Sequence, residues 1–267
     1  MQNIRQRYKY SFILLKQLVK SDFKLRYQGS FLGYMWSLLR PLAIFAILYV
    51  VFTKFLKIGE GVPHYPIYLL LGIVIWNFFV EVTMGCVSVI VAKGDLIRKI
   101  NFPKYVIILA TSISALINLI LNLTIVFIFM YLNKVDVRMV ALIFPLLVLE
   151  LYVFSLALAF FLSAAFVRFR DISYIWEVFV QGAFYATPIL YPLSLIPITA
   201  AKIIMLNPLA QIIQDSRYAL VTEKTQTIAT VYNNSSARIV PVSIVLISLC
   251  IASIYFRKRS KYFAEEV

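Results

Sequence analysis

Apolar residues come in long blocks along this chain, and the blocks are nearly free of charge. Phe31–Thr53 carries one charge (Arg40), Tyr65–Ala92 one (Glu81), Tyr105–Asn133 none, Met139–Val167 one (Glu150), Ile172–Tyr191 one (Glu177) and the shorter Ile239–Phe256 none. A helix needs about 20 apolar residues to cross a hydrocarbon layer of about 30 Å, so the pattern predicts six membrane-spanning helices. Ahead of them, Tyr8, Phe12, Leu15, Val19 and Phe23 recur at helical spacing, while Lys9, Lys16, Lys20 and Lys24 line another face. Residues 1–30 therefore predict an amphipathic helix lying in the membrane interface, lysines toward anionic headgroups. A helix packed on a partner protein would show the same pattern. Between the fifth and sixth blocks, Ile203–Ile213 is apolar but broken at Asn207-Pro208, and it is too short to span. It predicts two re-entrant helices whose freed backbone groups are buried in protein, or else an apolar hairpin under a surface loop. The fold class is an all-α polytopic membrane protein with an N-terminal amphipathic interface helix, six transmembrane helices, and re-entrant helices between spans 5 and 6. The chain reads as one domain over 1–267: interface helix 1–30, bundle 31–256, tail 257–267.

Composition agrees. Hydrophobic residues make up 62%, charged residues 14%, and the mean hydropathy is +0.87, far from the quarter-charged surface of a soluble domain. The net charge of +14 would suggest nucleic acid in a soluble chain, but no nucleic-acid motif interrupts the apolar runs. Here it reports orientation. The flanks before span 1, between spans 2 and 3, between spans 4 and 5, and after span 6 hold 18 of the 26 basic residues. The bias puts both termini in the cytoplasm. The N-terminus has no short apolar core with a cleavage site and so predicts no signal peptide. Cys86 and Cys250 lie in apolar blocks and read as small hydrophobes, and the one histidine, His64, cannot build a metal site alone. The sequence has no G-x-x-x-x-G-K-[ST], so any ATP and magnesium must be bound by another chain. The lack of an acid–base constellation disfavours a membrane-embedded acyltransferase. The lack of an intramembrane Gly-rich filter disfavours an ion channel.

Five stretches share a resemblance. The run from Asp22 to Pro41 (DFKLRYQGSFLGYMWSLLRP) looks like the entry to the first span of type-2 ABC export permeases, and within them those for O-antigen, capsule and teichoic acid. Lys99-Ile100-Asn101-Phe102-Pro103 resembles the family's segment between spans 2 and 3. Phe169-Arg170-Asp171-Ile172 resembles the turn before span 5, and Thr187-Pro188-Ile189-Leu190-Tyr191-Pro192 the outer end of that span. Asn207-Pro208-Leu209-Ala210, followed by Arg217, resembles the external re-entrant region. One departure is Arg40, where the family more often has asparagine. The resemblance implies the membrane subunit of an ATP-driven exporter of lipid-linked polysaccharide in a bacterial inner membrane. It would act as a homodimer with a separate ABC ATPase and carry no cofactor of its own. A drug, peptide or small-lipid efflux permease is the alternative.

The resemblance also assigns candidate residues. Asp95, Leu96, Ile97, Arg98 and Lys99 fall where the family has the coupling helix that seats in the ATPase; the alternative is a basic loop that only sets topology. Tyr34 and Trp36 in the first span and Tyr174, Trp176, Phe179, Phe184 and Tyr185 in the fifth would line the channel. Their ring faces suit the C–H faces of sugars, although an interfacial aromatic belt or plain packing uses the same residues. Lys24, Arg26 and Tyr27 would either grip a lipid diphosphate or anchor to headgroups. Glu81, Glu150 and Glu177 are intramembrane carboxylates, open to pairing with Arg40, Arg168 or Arg170. Arg170-Asp171 reads as a local ion pair or helix cap.

Overall fold

The computed structural model describes residues 2–27, 33–57, 59, 61–100 and 102–266, with the side chains of 2–9, 23, 25–27 and 34 outside that description. All regular structure among the described residues is helical. The helices are α1 (Gln2–Tyr27), α2 (Trp36–Val50, continued by a π turn Val51–Phe55), α3 (Tyr65–Val87), α4 (Val89–Ala92), α5 (Gly94–Lys99) and α6 (Tyr105–Leu132). They continue with α7 (Phe144–Arg168), α8 (Ile172–Ala186), α9 (Ile198–Met205), α10 (Pro208–Leu220), α11 (Ile228–Tyr232), α12 (Ile239–Arg259) and α13 (Phe263–Glu266). Short 3₁₀ turns precede α2, α7 and α12.

Among the described residues, five runs are long and apolar enough to cross a membrane: Trp36–Phe55, Tyr65–Val87, Tyr105–Leu132, Met139–Arg168 and Ser235–Arg259. The fifth predicted block behaves differently. Its helix, α8, has 15 residues, about 22 Å of rise. It stops because Pro188 follows: a residue before proline is pushed out of the helical region, and Thr187 is extended (φ −91°, ψ 137°). The stretch from Thr187 to Tyr191, predicted as the end of a span, is therefore not helix.

α3 is the centre of the bundle. It contacts α2, α6, α7, α8 and α10, and its residues Ile67, Leu69, Leu71 and Val82 are fully buried. One end of the bundle gathers α1, α5 and α13. There Lys93 Nζ lies 2.8 Å from Asp22 Oδ1, joining α1 to the turn before α5, and α13 packs on α5 through a buried Phe263. The opposite end holds α9–α11, and Tyr65 Oη there donates to the Leu190 carbonyl at 2.6 Å. α8 runs from the first end to the second. Both described chain ends, α1 and α13, thus lie at the same end of the bundle.

Helix α1 forms as expected, but its packed face is rotated. Leu14, Leu15 and Leu18 pack on the core, whereas Phe12 is 69% exposed; Tyr8 and Phe23 lie outside the described side chains. The helix meets α6, and packing on the core draws in Leu14 and Leu18 beside Leu15, leaving Phe12 outward. Lys16, Lys20 and Lys24 stay exposed.

The chain between α8 and α12 is well packed. Asn207 Oδ1 accepts from the Leu209 backbone N–H at 3.0 Å, so the asparagine caps α10 and Pro208 takes its first turn, where the missing N–H costs nothing. The predicted helix–break–helix is present, with α9 at 8 and α10 at 13 residues. Thr227 and Thr230 form a reciprocal capping box at the start of α11.

Candidate transport path, coupling helix and arginine clamp

The aromatic residues of α8 separate into two faces. Tyr174, Val178 and Tyr185 are each 70% exposed, and with Gln181 they lie at i, i+4, i+7 and i+11, a single stripe. Phe179 is also exposed and stacks on Trp176 at 5.0 Å. Trp176 and Phe184 are half-buried and point back at α3, the first against Phe79 at 6.2 Å and the second against Trp76 at 5.6 Å. Of the five candidates on this helix, Tyr174, Phe179 and Tyr185 are thus free to meet another molecule, while Trp176 and Phe184 anchor the helix. α2 is bare in a similar way: Trp36, Ile44, Ile47 and Val50 are exposed. Tyr34 lies outside the described side chains. α2 and α8 both pack on α3.

At the other candidate surface, the charged segment folds as the single-turn-and-a-half helix α5. Ile97 is buried and Leu96 packs partly against the core, while Asp95, Arg98 and Lys99 face outward. The helix is braced by α13 and, through the Lys93–Asp22 pair, by α1. It is a charged knob on a fixed base. Lys24 lies exposed on α1 beside this end; the side chains of Arg26 and Tyr27 lie outside the description.

Arg217 is the largest fully buried side chain among the described residues. By charge-counting it belongs with the basic residues on the side away from the termini; the structure places it inside α10, at the end of the bundle opposite α5, and buried. Its Nε donates to the Tyr68 carbonyl at 2.9 Å, Nη1 to Pro188 at 2.5 Å and Nη2 to Ile189 at 2.6 Å. The guanidinium carbon sits 3.6 Å from the centroid of the Tyr68 ring. One side chain of α10 therefore holds the first turn of α3 and the end of α8. Gly72 makes the room, because a Cβ there would strike the guanidinium. The carbonyls at 188 and 189 are free to accept because the proline ends α8 just before them. The resemblance placed Arg217 in a motif, but nothing in its spacing revealed the clamp. A lone arginine 145 residues from a glycine has no sequence pattern.

The carboxylates Glu81, Glu150 and Glu177 also resolve, and among the described residues none forms an ion pair with Arg168 or Arg170. Glu81 Oε1 accepts from Asn118 Nδ2 at 2.7 Å. Glu150 lines a small cavity of about 160 Å³ with Gln211, Asp215 and Arg238. There Arg238 Nε lies 3.2 Å from Asp215 Oδ2, and Gln211 Nε2 donates to the same oxygen at 2.9 Å. Burial raises the Asp215 pKa, opposed by the Gln211 hydrogen bond and by Arg238. Glu177 is exposed on α8. Arg170 and Asp171 form neither an ion pair nor a cap: Arg170 stacks over Phe166 at 5.2 Å, and the Asp171 side chain caps no N–H of α8.

A bundle with five runs long and apolar enough to cross a membrane among the described residues is that of a multi-pass membrane protein. The ABC-2 type transporter family matches residues 13–221. Over 266 residues the chain is 31% identical to an O-antigen export system permease protein of Myxococcus xanthus, covering 99% of this chain and 98% of that one. It is 30% identical over 206 residues to a Klebsiella pneumoniae protein of the same description, covering 76% of this chain and 78% of the other. The chain belongs to the ABC-2 type transporter family, whose members are transport subunits with ATP hydrolysis in a separate subunit.

Proposed function

We propose that this chain is the membrane subunit of an ATP-driven exporter that carries a lipid-linked polysaccharide of the O-antigen type from the cytoplasmic to the outer face of a bacterial inner membrane. The observation that carries the reading is the likeness, over nearly the full length, to a permease described as exporting O-antigen. The exposed rings of Tyr174, Phe179 and Tyr185 on α8 support it, because ring faces give a polymer low-friction contacts along its length. Two chains would meet so that α2 and α8 of each line one path, since a single chain leaves both surfaces unpartnered. α8 with its extended tail would make the sixth crossing. That agrees with α1 and α13 lying at one end of the bundle, which we take as the cytoplasmic end because it carries the basic flanks. α9 and α10 would be the re-entrant pair on the outer side.

At the cytoplasmic end, α5 would dock in the ATPase through Asp95, Arg98 and Lys99, with Leu96 and Ile97 as its packed base. A knob braced by α1 and α13 can transmit closure of the nucleotide-binding subunits to the spans. ATP and magnesium would bind in that partner. Lys24, Arg26 and Tyr27 would meet the lipid diphosphate where it enters the path. The test is deletion of the gene followed by fractionation of lipid-linked glycan. Export predicts that polymer accumulates on the cytoplasmic side and disappears from the surface. Unchanged surface glycan would overturn the polysaccharide reading.

A further inference from the structure

A second polar feature lies apart from the α8 stripe and from α5. Between α2, α3 and α6 opens a cleft of about 640 Å³, within the size range of small-ligand sites. Its polar lining consists of Ser37, Arg40, Asn77, Glu81, Asn118 and Asn122. Its walls are apolar, with Trp36, Ile44 and Phe78 among them. Arg40 lies four residues into α2 and Glu81 six residues before the end of α3. These offsets are roughly 6 and 9 Å of helix rise from the end of the bundle that carries α5. The cleft thus begins at headgroup depth and reaches one to two turns inward.

The donors in it are unequally used. Asn118 Nδ2 is spent on Glu81 at 2.7 Å. Asn122 Nδ2 is spent on the Asn118 carbonyl at 2.8 Å and reaches the Ser37 carbonyl at 3.4 Å. Arg40 makes no ion pair or hydrogen bond among the described residues, and neither does the Asn77 carboxamide. A cation held inside a span is costly and calls for an anionic partner. The free guanidinium has a planar fork that fits two phosphate oxygens. Asn77 adds a neutral donor across the same cleft. A polar floor between apolar walls is the shape an amphiphile needs, with phosphate on the floor and hydrocarbon along the walls.

We propose that this cleft binds the phosphate of a lipid in the leaflet on the α5 side, through Arg40 and Asn77. Two lipids carry that group: a bulk phospholipid and the polyprenyl diphosphate carrier of a glycan. The carrier arm rests on the export reading; the phospholipid arm does not.

The experiment is native mass spectrometry of the purified, delipidated full-length chain titrated with phosphatidylethanolamine, polyprenyl diphosphate, or diacylglycerol as a phosphate-free probe. Expected is one saturable adduct per chain with a phosphate lipid and none with diacylglycerol. Arg40→Gln should weaken that adduct roughly tenfold or more, the worth of a charge-assisted hydrogen bond. Arg40→Lys keeps the charge without the fork and should fall between. Arg168→Gln removes a cation from the same end but outside the cleft and should leave binding unchanged. A loss confined to polyprenyl diphosphate would assign the site to the carrier; a loss for both lipids would assign it to phosphate lipids in general. Binding that is equal in the wild type and Arg40→Gln, or weakened as much by Arg168→Gln, would overturn the proposal. Arg40 holds no other described residue by an ion pair or hydrogen bond, so Arg40→Gln is expected to fold, and its elution profile checks that.

Discussion

Helices α3 and α8 lie side by side and are made of similar residues, yet the fold treats them oppositely. In the α3 span 78% of an 18-residue window is buried by the rest of the chain, against 11% in the α2 span beside it. Of the α8 residues only Val180 is buried, while Tyr174, Val178, Gln181 and Tyr185 form an exposed stripe. Both α3 and α8 are rich in aromatic residues, so hydrophobicity does not distinguish them. What does is the number of neighbours: α3 is wrapped by five helices, whereas α8 leans on α3 and α7. In lipid an exposed apolar face costs nothing by itself, because hydrocarbon solvates it as well as protein does. The bare face of α8 is thus tolerated without a partner and available to one. α3 serves as structure, and α8 offers a surface.

Arg217 ties these two helices together, and removing it is the strongest way to break the contrast. Arg217→Ala leaves the carbonyls of Pro188 and Ile189 without this donor and takes a second partner from the Tyr68 carbonyl, which keeps its helical bond. Each buried unmet acceptor costs about 1–3 kcal/mol, so the loss is expected to exceed about 2 kcal/mol. Fluorescence-detected size exclusion of the solubilised protein should show little monodisperse material. Arg217→Lys should rescue only in part, because an ammonium lacks the three-way fork. A normal profile for Arg217→Ala would mean that the clamp is not what fixes α8.

Gly72→Leu attacks the same joint from the α3 side. The new side chain meets the guanidinium and can be accommodated only if Arg217 gives up a carbonyl. Overpacking of this kind costs about 1–3 kcal/mol, readable as a lowered thermal-unfolding midpoint in detergent. Combining it with Arg217→Ala should restore part of the loss, since the two residues share one space. Additive losses would separate them.

At the other end of the bundle the effect is smaller. Lys93→Met removes the pair with Asp22, whose side chains are about one-fifth exposed. A partly solvated ion pair contributes no more than about 1 kcal/mol. The unfolding midpoint should therefore barely move. Stimulation of the ATPase partner should fall if the pair holds α5 on its base. Unchanged stimulation would leave α13 as the brace that matters.

How much of this was legible in the sequence follows the same division. The blocks from Tyr105, Met139 and Ile239 predict their helices to within a few residues, because a span needs only length and apolarity and both are local. The break at Asn207-Pro208 was equally local: a capping side chain followed by a proline. α8 ended early for a reason also on the page, Pro188, but the count of apolar residues overrode it. The rotated face of α1 was not legible, since Phe12 and Leu14 are both apolar and α6 decides between them. The clamp and the α2–α3–α6 cleft were hidden for a stronger reason. Arg217 with Gly72, and Arg40 with Asn77, are pairs of residues made neighbours by packing alone. Motif position marked α5 and α8 as surfaces worth testing, but it could not divide the five aromatics of α8 into three that face out and two that anchor.

That division yields the sharpest test, because it predicts a change in one property and none in the other. Tyr174→Ala with Tyr185→Ala removes two rings that touch little of their own chain. Stability should stay within about 0.5 kcal/mol of the parent, as for substitutions away from packed contacts. Trp176→Ala with Phe184→Ala deletes the rings that pack on Phe79 and Trp76, and there the unfolding midpoint should drop. If the outward rings serve a moving polymer, the first pair should slow glycan export while assembly with the ATPase persists, and the second should fail in assembly first. Normal export by the Tyr174/Tyr185 variant would take α8 out of the path. A loss of stability in that same variant would show instead that its stripe is an interface holding two copies together, with the path elsewhere.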